Sequence, residues 1–182
     1  VESLKGQLLI AVPSLADANF FRSVVLLLQH DDQGAMGLVL NRPSDVSVAE
    51  VWLEAFGVEV DSAAQLHFGG PVEGPLILLH ARYEFSETAV LPEVYMSLER
   101  HALQSIVDQD HQPWRLFSGY SGWGAGQLEA EIEVGGWLLL PTDSQTVFSD
   151  TSQLWKRVCN RFGAEILNDQ WKGKLPSDPS LN

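Results

Sequence analysis

Short apolar runs, each cut off by glycine, proline or a polar pair, recur along the whole chain. Leu8 to Val12 is such a run, ended by Pro13, and reads as a buried strand. Asp17 to Arg22 follows as a loop or short turn. Ser23 to His30 and Met36 to Asn41 read as the next two strands, the second stopped by Arg42-Pro43. Between them, Asp31-Asp32-Gln33-Gly34 supplies turn residues, so the two strands are expected to form an antiparallel hairpin. Further short strands are expected at Leu66 to Phe68, Leu76 to Ala81, Val94 to Ser97, Arg115 to Tyr120 and Trp137 to Leu140.

Helical signals fall between these runs. Ser47-Val48-Ala49-Glu50 has the form of a capping box: the Ser47 hydroxyl accepts from the Glu50 amide and the Glu50 carboxylate reaches back. The helix it opens runs through Val51, Trp52 and Phe56 and stops at Gly57. Ser97 is expected to cap a second helix, from about Leu98 to Asp108, with Leu98, Ala102, Leu103 and Ile106 on one face. A third spans Gln127 to Val134 and closes at Gly135-Gly136. A last one begins near Asp150 and ends at Gly163, with Leu154, Trp155, Val158, Cys159 and Phe162 as its apolar stripe. Strands come partly in succession and partly interleaved with short helices, which is not the strict alternation of a parallel α/β sheet. The pattern predicts one α+β domain over residues 1–171, with a mixed or mostly antiparallel sheet, open to barrel-like curling, flanked by short helices. Residues 172–182 read as a frayed tail.

Composition narrows the function classes. The 182 residues carry 24 Asp and Glu against 11 Lys and Arg, a formal charge of -13. That balance argues against direct binding to nucleic acid or to an anionic membrane. No Lys/Arg cluster and no helix-turn-helix spacing is evident either. Cys159 is the only cysteine, so no intrachain disulfide can form. The start of the chain lacks a basic segment followed by a long apolar stretch, and the longest apolar runs are too short to span a bilayer. These features predict a cytoplasmic protein.

The densest cluster of unusual residues is Gly119 to Glu131, with Gly119, Gly122, Gly124 and Gly126 around Tyr120 and Trp123. Together with Gly6 to Pro13, Asp17 with Phe20, Arg22, Ser23 and Val24, His30, Gly34 to Pro43 and Gly69-Gly70-Pro71-Val72, it resembles the AlgH/YqgE family of small bacterial proteins. The resemblance covers about Leu4 to Leu167. It implies a bacterial, cytoplasmic, α+β protein with no established reaction, cofactor or catalytic residue. Some family members carry a transcriptional-regulator label.

Residue chemistry offers four places to look. Gly119-Tyr120-Ser121-Gly122-Trp123 superficially resembles a nucleophile elbow, but that motif needs glycine two residues after the serine, where this chain has Trp123. The glycines before the third helix resemble a phosphate loop, yet no lysine follows them, and Glu129, Glu131 and Glu133 bring negative charge. The five histidines, His30, His67, His80, His101 and His111, show no pairing at metal-ligand spacing, and no metal is expected. The last place is a polar patch of Asp17, Arg22, Asn41 and Arg42. There two guanidiniums would fork onto a carboxylate or phosphate, unless the same residues merely lock the loop after Pro13.

Two functional readings follow. In the first the protein is a non-catalytic binding or regulatory protein, holding a protein partner through an exposed loop built on Tyr120, Trp123 and Gln127. In the second it is a small-molecule sensor or enzyme with an anion pocket around Arg22 and Arg42. Neither reading requires a cofactor, and no catalytic residue is assigned.

Overall fold

The computed structural model describes residues 2–12 and 19–172. Among the described residues, eleven strands form two open sheets. The first is ordered β10-β3-β2-β1-β11 and the second β4-β5-β9-β6-β8-β7. In chain order the strands are β1 (Leu8–Ala11), β2 (Val24–Asp31), β3 (Gly34–Val39), β4 (Pro43–Ser47), β5 (Gln65–Phe68), β6 (Ile77–His80), β7 (Thr88–Leu91), β8 (Val94–Ser97), β9 (Trp114–Ser118), β10 (Ser121–Gly124) and β11 (Trp137–Leu140). The helices are α1 (Val48–Phe56), α2 (Arg100–Asp108), α3 (Gln127–Glu133), α4 (Ser144–Val147) and α5 (Leu154–Lys172). Every strand pairing is antiparallel except β5 with β9. The fold is therefore mixed α+β, and the two sheets pack as separate layers rather than closing into one barrel.

Three apolar clusters define the layers. Between the sheets, Leu8, Ile10, Leu26 and Leu38 of the first meet Ile77, Leu79 and Phe117 of the second. Val147, Leu154 and Val158 of α4 and α5 close one end of this middle layer. On the outer face of the first sheet, Leu9, Val25, Leu27 and Trp123 are covered by Leu128 of α3. On the outer face of the second, Leu78, Trp114 and Leu116 are covered by Trp52 of α1 and by Leu103 and Ile106 of α2. Alternate residues of one strand thus serve opposite layers. That is why β1 and most of β2 are apolar at every position rather than at every second one.

The expected hairpin is β2–β3, with its turn at Asp31 to Gly34. The Ser47 capping box is complete: Glu50 N donates to Ser47 Oγ at 3.2 Å and Ser47 N to Glu50 Oε2 at 2.8 Å. Gly57 ends α1 in the left-handed conformation (φ 68°), which glycine adopts without strain. Ser97, by contrast, does not cap α2. Its hydroxyl donates to Phe85 O and faces His80, while the backbone amides of Leu98 and Glu99 are taken by Glu87 Oε1. The helix begins only at Arg100. The last helix starts at Leu154, after a turn in which Asp150 accepts from Ser152 N and Oγ, and it runs through Gly163 to Lys172. One glycine costs a long helix only about 1 kcal/mol, too little to end it.

The glycine-rich stretch is not a loop feeding a helix. It crosses from the second sheet to the first at Gly119-Tyr120 and then forms strand β10. Gly69, just after β5, meets this crossing. Its N–H donates to Ser118 O (2.9 Å), and its carbonyl accepts from Val39 N (2.8 Å) and Ser121 Oγ (3.1 Å). A Cβ on Gly69 would overlap the Gly119 carbonyl oxygen and Leu38 Cδ2. Gly119 itself has φ 69°, the region that favours glycine. Gly69→Ala is therefore expected to lower the unfolding free energy by about 1–3 kcal/mol through overpacking. Gly163→Ala, in open space on α5, is expected to raise it by up to about 1 kcal/mol. Urea unfolding of the two variants checks both signs.

Candidate functional site

Two cavities flank the segment Ser149 to Gln153, between α4 and α5, and both are bordered by Thr151. One, of about 480 Å³, is lined by Arg22, Asn41, Trp155 and Lys156. The other, of about 440 Å³, is lined by His67, Arg115, Trp114 and Asp150. Both lie beside the chain's other crossing, Leu40 to Arg42, which leads from β3 in the first sheet to β4 in the second.

Of the polar patch expected from the sequence, Arg22 and Asn41 come together and Arg42 stands apart. Asn41 Oδ1 accepts from Val24 N and its Nδ2 donates to Arg22 O, each at 2.9 Å, so this amide pins the turn that carries Arg22. Arg22 is a non-glycine residue at φ 53°. Its guanidinium lies 5.0 Å from the Phe21 ring centre and 5.4 Å from that of Trp155, near enough for cation–π attraction. Arg42 lines neither cavity. It donates to Phe21 O (3.3 Å) and Ser23 Oγ (3.1 Å), bracing the same turn from below. The pocket is thus built on Arg22 without Arg42. Asp17 lies outside the described residues.

The second cavity holds groups that no sequence pattern marks. Arg115 of β9 donates from Nη1 to Val147 O (2.9 Å) and from Nη2 to Ser149 O (3.0 Å). A guanidinium has five N–H donors, so several stay available. Burial lowers its pKa to about 10, opposed by the nearby Asp150, and it stays charged at neutral pH. Among the described residues, no carboxylate oxygen lies within 4.0 Å of Arg115, Arg22 or Lys156. His67 of β5 is 9% exposed and packs 5.5 Å from the Phe117 ring. Burial first, and the positive charge of Arg115 second, push its pKa down to about 4. The ring is therefore neutral at physiological pH. Its Nδ1 lies 3.1 Å from Gln65 O, a carbonyl that can only accept, so Nδ1 carries the hydrogen. Nε2 is left as a bare acceptor with no protein partner among the described residues.

His80 does not join His67. The two lie on strands either side of β9, opposite Trp114 and Phe117 respectively. His80 is fully buried, accepts from Arg82 N at Nδ1 (3.2 Å) and meets Ser97 Oγ through Nε2 (2.9 Å). Its pKa is also lowered to about 4, by burial. The described residues contain no group of three or more His, Cys, Asp or Glu placed to hold a metal.

The expected interaction loop is largely core. Trp123 is 6% exposed, near Phe20 and Trp137 at ring distances of 5.9 and 6.0 Å. The indole N–H groups of Trp123 and Trp137 both donate to Glu131 Oε2 (3.0 and 2.8 Å), which fixes α3 to the first sheet. Tyr120 is half-buried against the middle layer. Only Gln127 is exposed, and its amide links Gly124 N to Glu131. Trp123 is thus unavailable as an exposed anchor, because alternation along β10 leaves Gly122 and Gly124 exposed and turns Ser121 and Trp123 inward. Ser121 is fully buried and bonded to Gly69 O, out of reach of any substrate.

A family model described as AlgH-like (DUF179) matches residues 8–167, and the chain belongs to that family. A UPF0301 protein from Thermobifida fusca is 36% identical over 194 residues, covering 99% of this chain and 96% of the relative. One from Myxococcus xanthus is 36% identical over 173 residues, covering 91% and 94%. The solution structure of the AlgH protein from Pseudomonas aeruginosa superimposes with a TM-score of 0.74 at 31% identity, covering 97% of this chain and 96% of that one. A crystal structure of a Corynebacterium diphtheriae protein gives 0.69 at 26%, covering 86% of each. These names state no reaction and no ligand.

The two buried imidazoles make stability depend on pH. Their folded pKa values, about 4, lie below the ordinary 6.5, so between those limits the unfolded chain binds more protons. Stability should be fully present above pH 6.5 and fall as pH drops towards 4. A tenfold change in proton affinity is worth about 1.4 kcal/mol, so each ring contributes on the order of 3 kcal/mol. Urea midpoints measured across this range check the slope; a flat profile from pH 6.5 to 4.5 contradicts it.

Proposed function

We propose that this protein is a non-catalytic binding protein whose ligand is a small anion, held in the cavities bordered by Thr151, and that a regulatory role would follow from occupancy of that site. The observation that carries this reading is Arg115: a charged, largely buried guanidinium with no carboxylate within 4.0 Å. Two carbonyls take N–H groups of Arg115 and Asp150 opposes its charge only from beyond 4.0 Å, and a bound anion in direct contact offsets more of the cost of burying that charge. The surroundings point the same way. Arg22 and Lys156 line the adjoining cavity, and Arg157 donates to Ser149 Oγ and Asp150 O on the same segment. Four of the 11 basic residues of a chain with net charge -13 therefore gather around five residues. The rings of Phe21 and Trp155 beside Arg22 offer an apolar face to the rest of the ligand.

Binding without turnover fits the chemistry of the walls. A general base works best with a pKa near the operating pH, and His67 is held well below it. The Ser149 hydroxyl donates to Thr146 O, and that of Ser152 to Asp150, whose carboxyl its hydrogen bonds to Ser152 hold below the ordinary range and so make a poor base. No helix of the described residues is long and apolar enough to cross a membrane. The overall charge disfavours nucleic acid, so a regulatory effect is assigned to a small ligand rather than to DNA contact. The reading built on Trp123 as a partner anchor loses that anchor to the core.

A thermal-shift series with phosphate, sulfate and small organic acids, at constant ionic strength, tests the proposal. A ligand at a hundred times its Kd adds about 2.7 kcal/mol, which raises Tm by roughly 5–10 °C in a domain of this size. The shift is expected to vanish in Arg115→Ala and to shrink in Lys156→Ala. A shift of equal size in both variants, or none with any anion, contradicts it.

A further inference from the structure

The Arg115 cavity presents two kinds of group to one ligand. Arg115 offers N–H donors and positive charge. His67 offers the opposite, a lone pair on Nε2, from a ring whose other nitrogen is committed to Gln65 O. His67 is nine-tenths buried, lines the cavity, and has no hydrogen-bond partner for Nε2 among the described residues. Asp150 lies in the same wall with its oxygens engaged by Ser152 N and Oγ. A fully ionised oxyanion satisfies Arg115 but sets an oxygen lone pair against the imidazole lone pair. An oxyanion that still carries a proton satisfies both: its charged oxygens accept from the guanidinium and its O–H donates to Nε2.

Resting on the anion-binding reading above, we infer that this cavity selects oxyanions that retain a proton, the hydrogen-phosphate group of free phosphate or of a phosphate monoester, over fully ionised ones such as sulfate. Charge alone works against that order, because sulfate is the more negative ion. A preference for phosphate therefore reports the proton and not the field. A ligand that fills the cavity takes water from Nε2, and an acceptor so desolvated and left unpaired costs about 1–3 kcal/mol, so the preference should be about tenfold or more.

Calorimetric titration at pH about 5.5 is the test. There a phosphate monoester, with a second pKa of about 6, keeps its proton, and His67 stays neutral. Inorganic phosphate, sulfate and ribose 5-phosphate are titrated at constant ionic strength into the wild-type chain, His67→Leu and Arg115→Ala. Phosphate is expected to bind the wild type about tenfold or more tightly than sulfate. In His67→Leu the ratio should fall to about one, through weaker phosphate binding with sulfate unchanged. Ribose 5-phosphate binding more tightly than phosphate, with the gain lost in Arg22→Ala, assigns the ligand to an organic monoester reaching both cavities. Equal binding assigns it to free phosphate.

A second readout needs no substitution. With ¹⁵N-labelled histidine, the Nε2 resonance of His67 should move on adding phosphate and stay in place with sulfate. Equal affinity for the two ions, both lost in Arg115→Ala, overturns the selectivity and leaves the anion site standing. A preference that survives in His67→Leu, or an Nε2 resonance indifferent to phosphate, also overturns it. Binding of none of the three ions removes the anion site itself.

Discussion

Backbone meets backbone at Gly69, and the relation between the two sheets depends on that contact. Its amide is bonded to the end of β9, and its carbonyl to the end of β3 and to the first residue of β10. One residue thus joins the second sheet to the first at the point where the chain crosses between them at Gly119. The approach leaves no volume for a Cβ. Interiors packed at this density respond to a single added methyl by moving backbone, and here the backbone that would move belongs to both sheets.

The cavities inherit their geometry from this arrangement. His67 and Arg115 lie on β5 and β9, the parallel pair whose next residues run into Gly69 and Gly119. Asn41 lies on the other crossing, from β3 to β4, and Pro43 opens β4 at its end. The fourth wall is the turn before α5, held by Arg115 and Arg157 through the carbonyls of Val147, Ser149 and Asp150. The charged groups are therefore mounted on a strand, on the first turn of α5 and on a braced turn rather than on free loops. Such mounting reduces the ordering entropy lost when a ligand binds.

Local chemistry made part of this legible in the sequence. The β2–β3 hairpin, the Ser47–Glu50 capping box and the Gly57 stop are each decided by residues within a few positions of one another, and each stands where the pattern placed it. The family resemblance rested on motifs of the same kind and holds over residues 8–167. Two of the edge strands were hidden for a physical reason. β4 reads Pro-Ser-Asp-Val-Ser and β10 reads Ser-Gly-Trp-Gly, so neither shows an apolar run, and partners distant in sequence make them strands. Trp123 looked exposed because glycines surround it, whereas the alternation of β10 turns those glycines outward and Trp123 into the core. Ser97 looked like a cap because its competing partners, His80 and Phe85, are brought to it only by the sheet. Arg22 and Asn41 were visible as polar residues beside apolar strands. His67 and Arg115 were not, because their significance lies in burial and in missing partners, which only the assembled layers define.

A largely buried Arg115 with no carboxylate in direct contact is the feature from which the anion site, its neutral histidine neighbour and its lack of catalytic groups all take their meaning. The direct test is a crystal structure of the protein saturated with arsenate, which shares the geometry and protonation of phosphate and scatters anomalously. The account predicts an anomalous peak in the cavity lined by Arg115 and His67, with arsenate oxygens on the guanidinium and one on His67 Nε2. An empty cavity at saturation, or arsenate ordered only elsewhere on the surface, would contradict it.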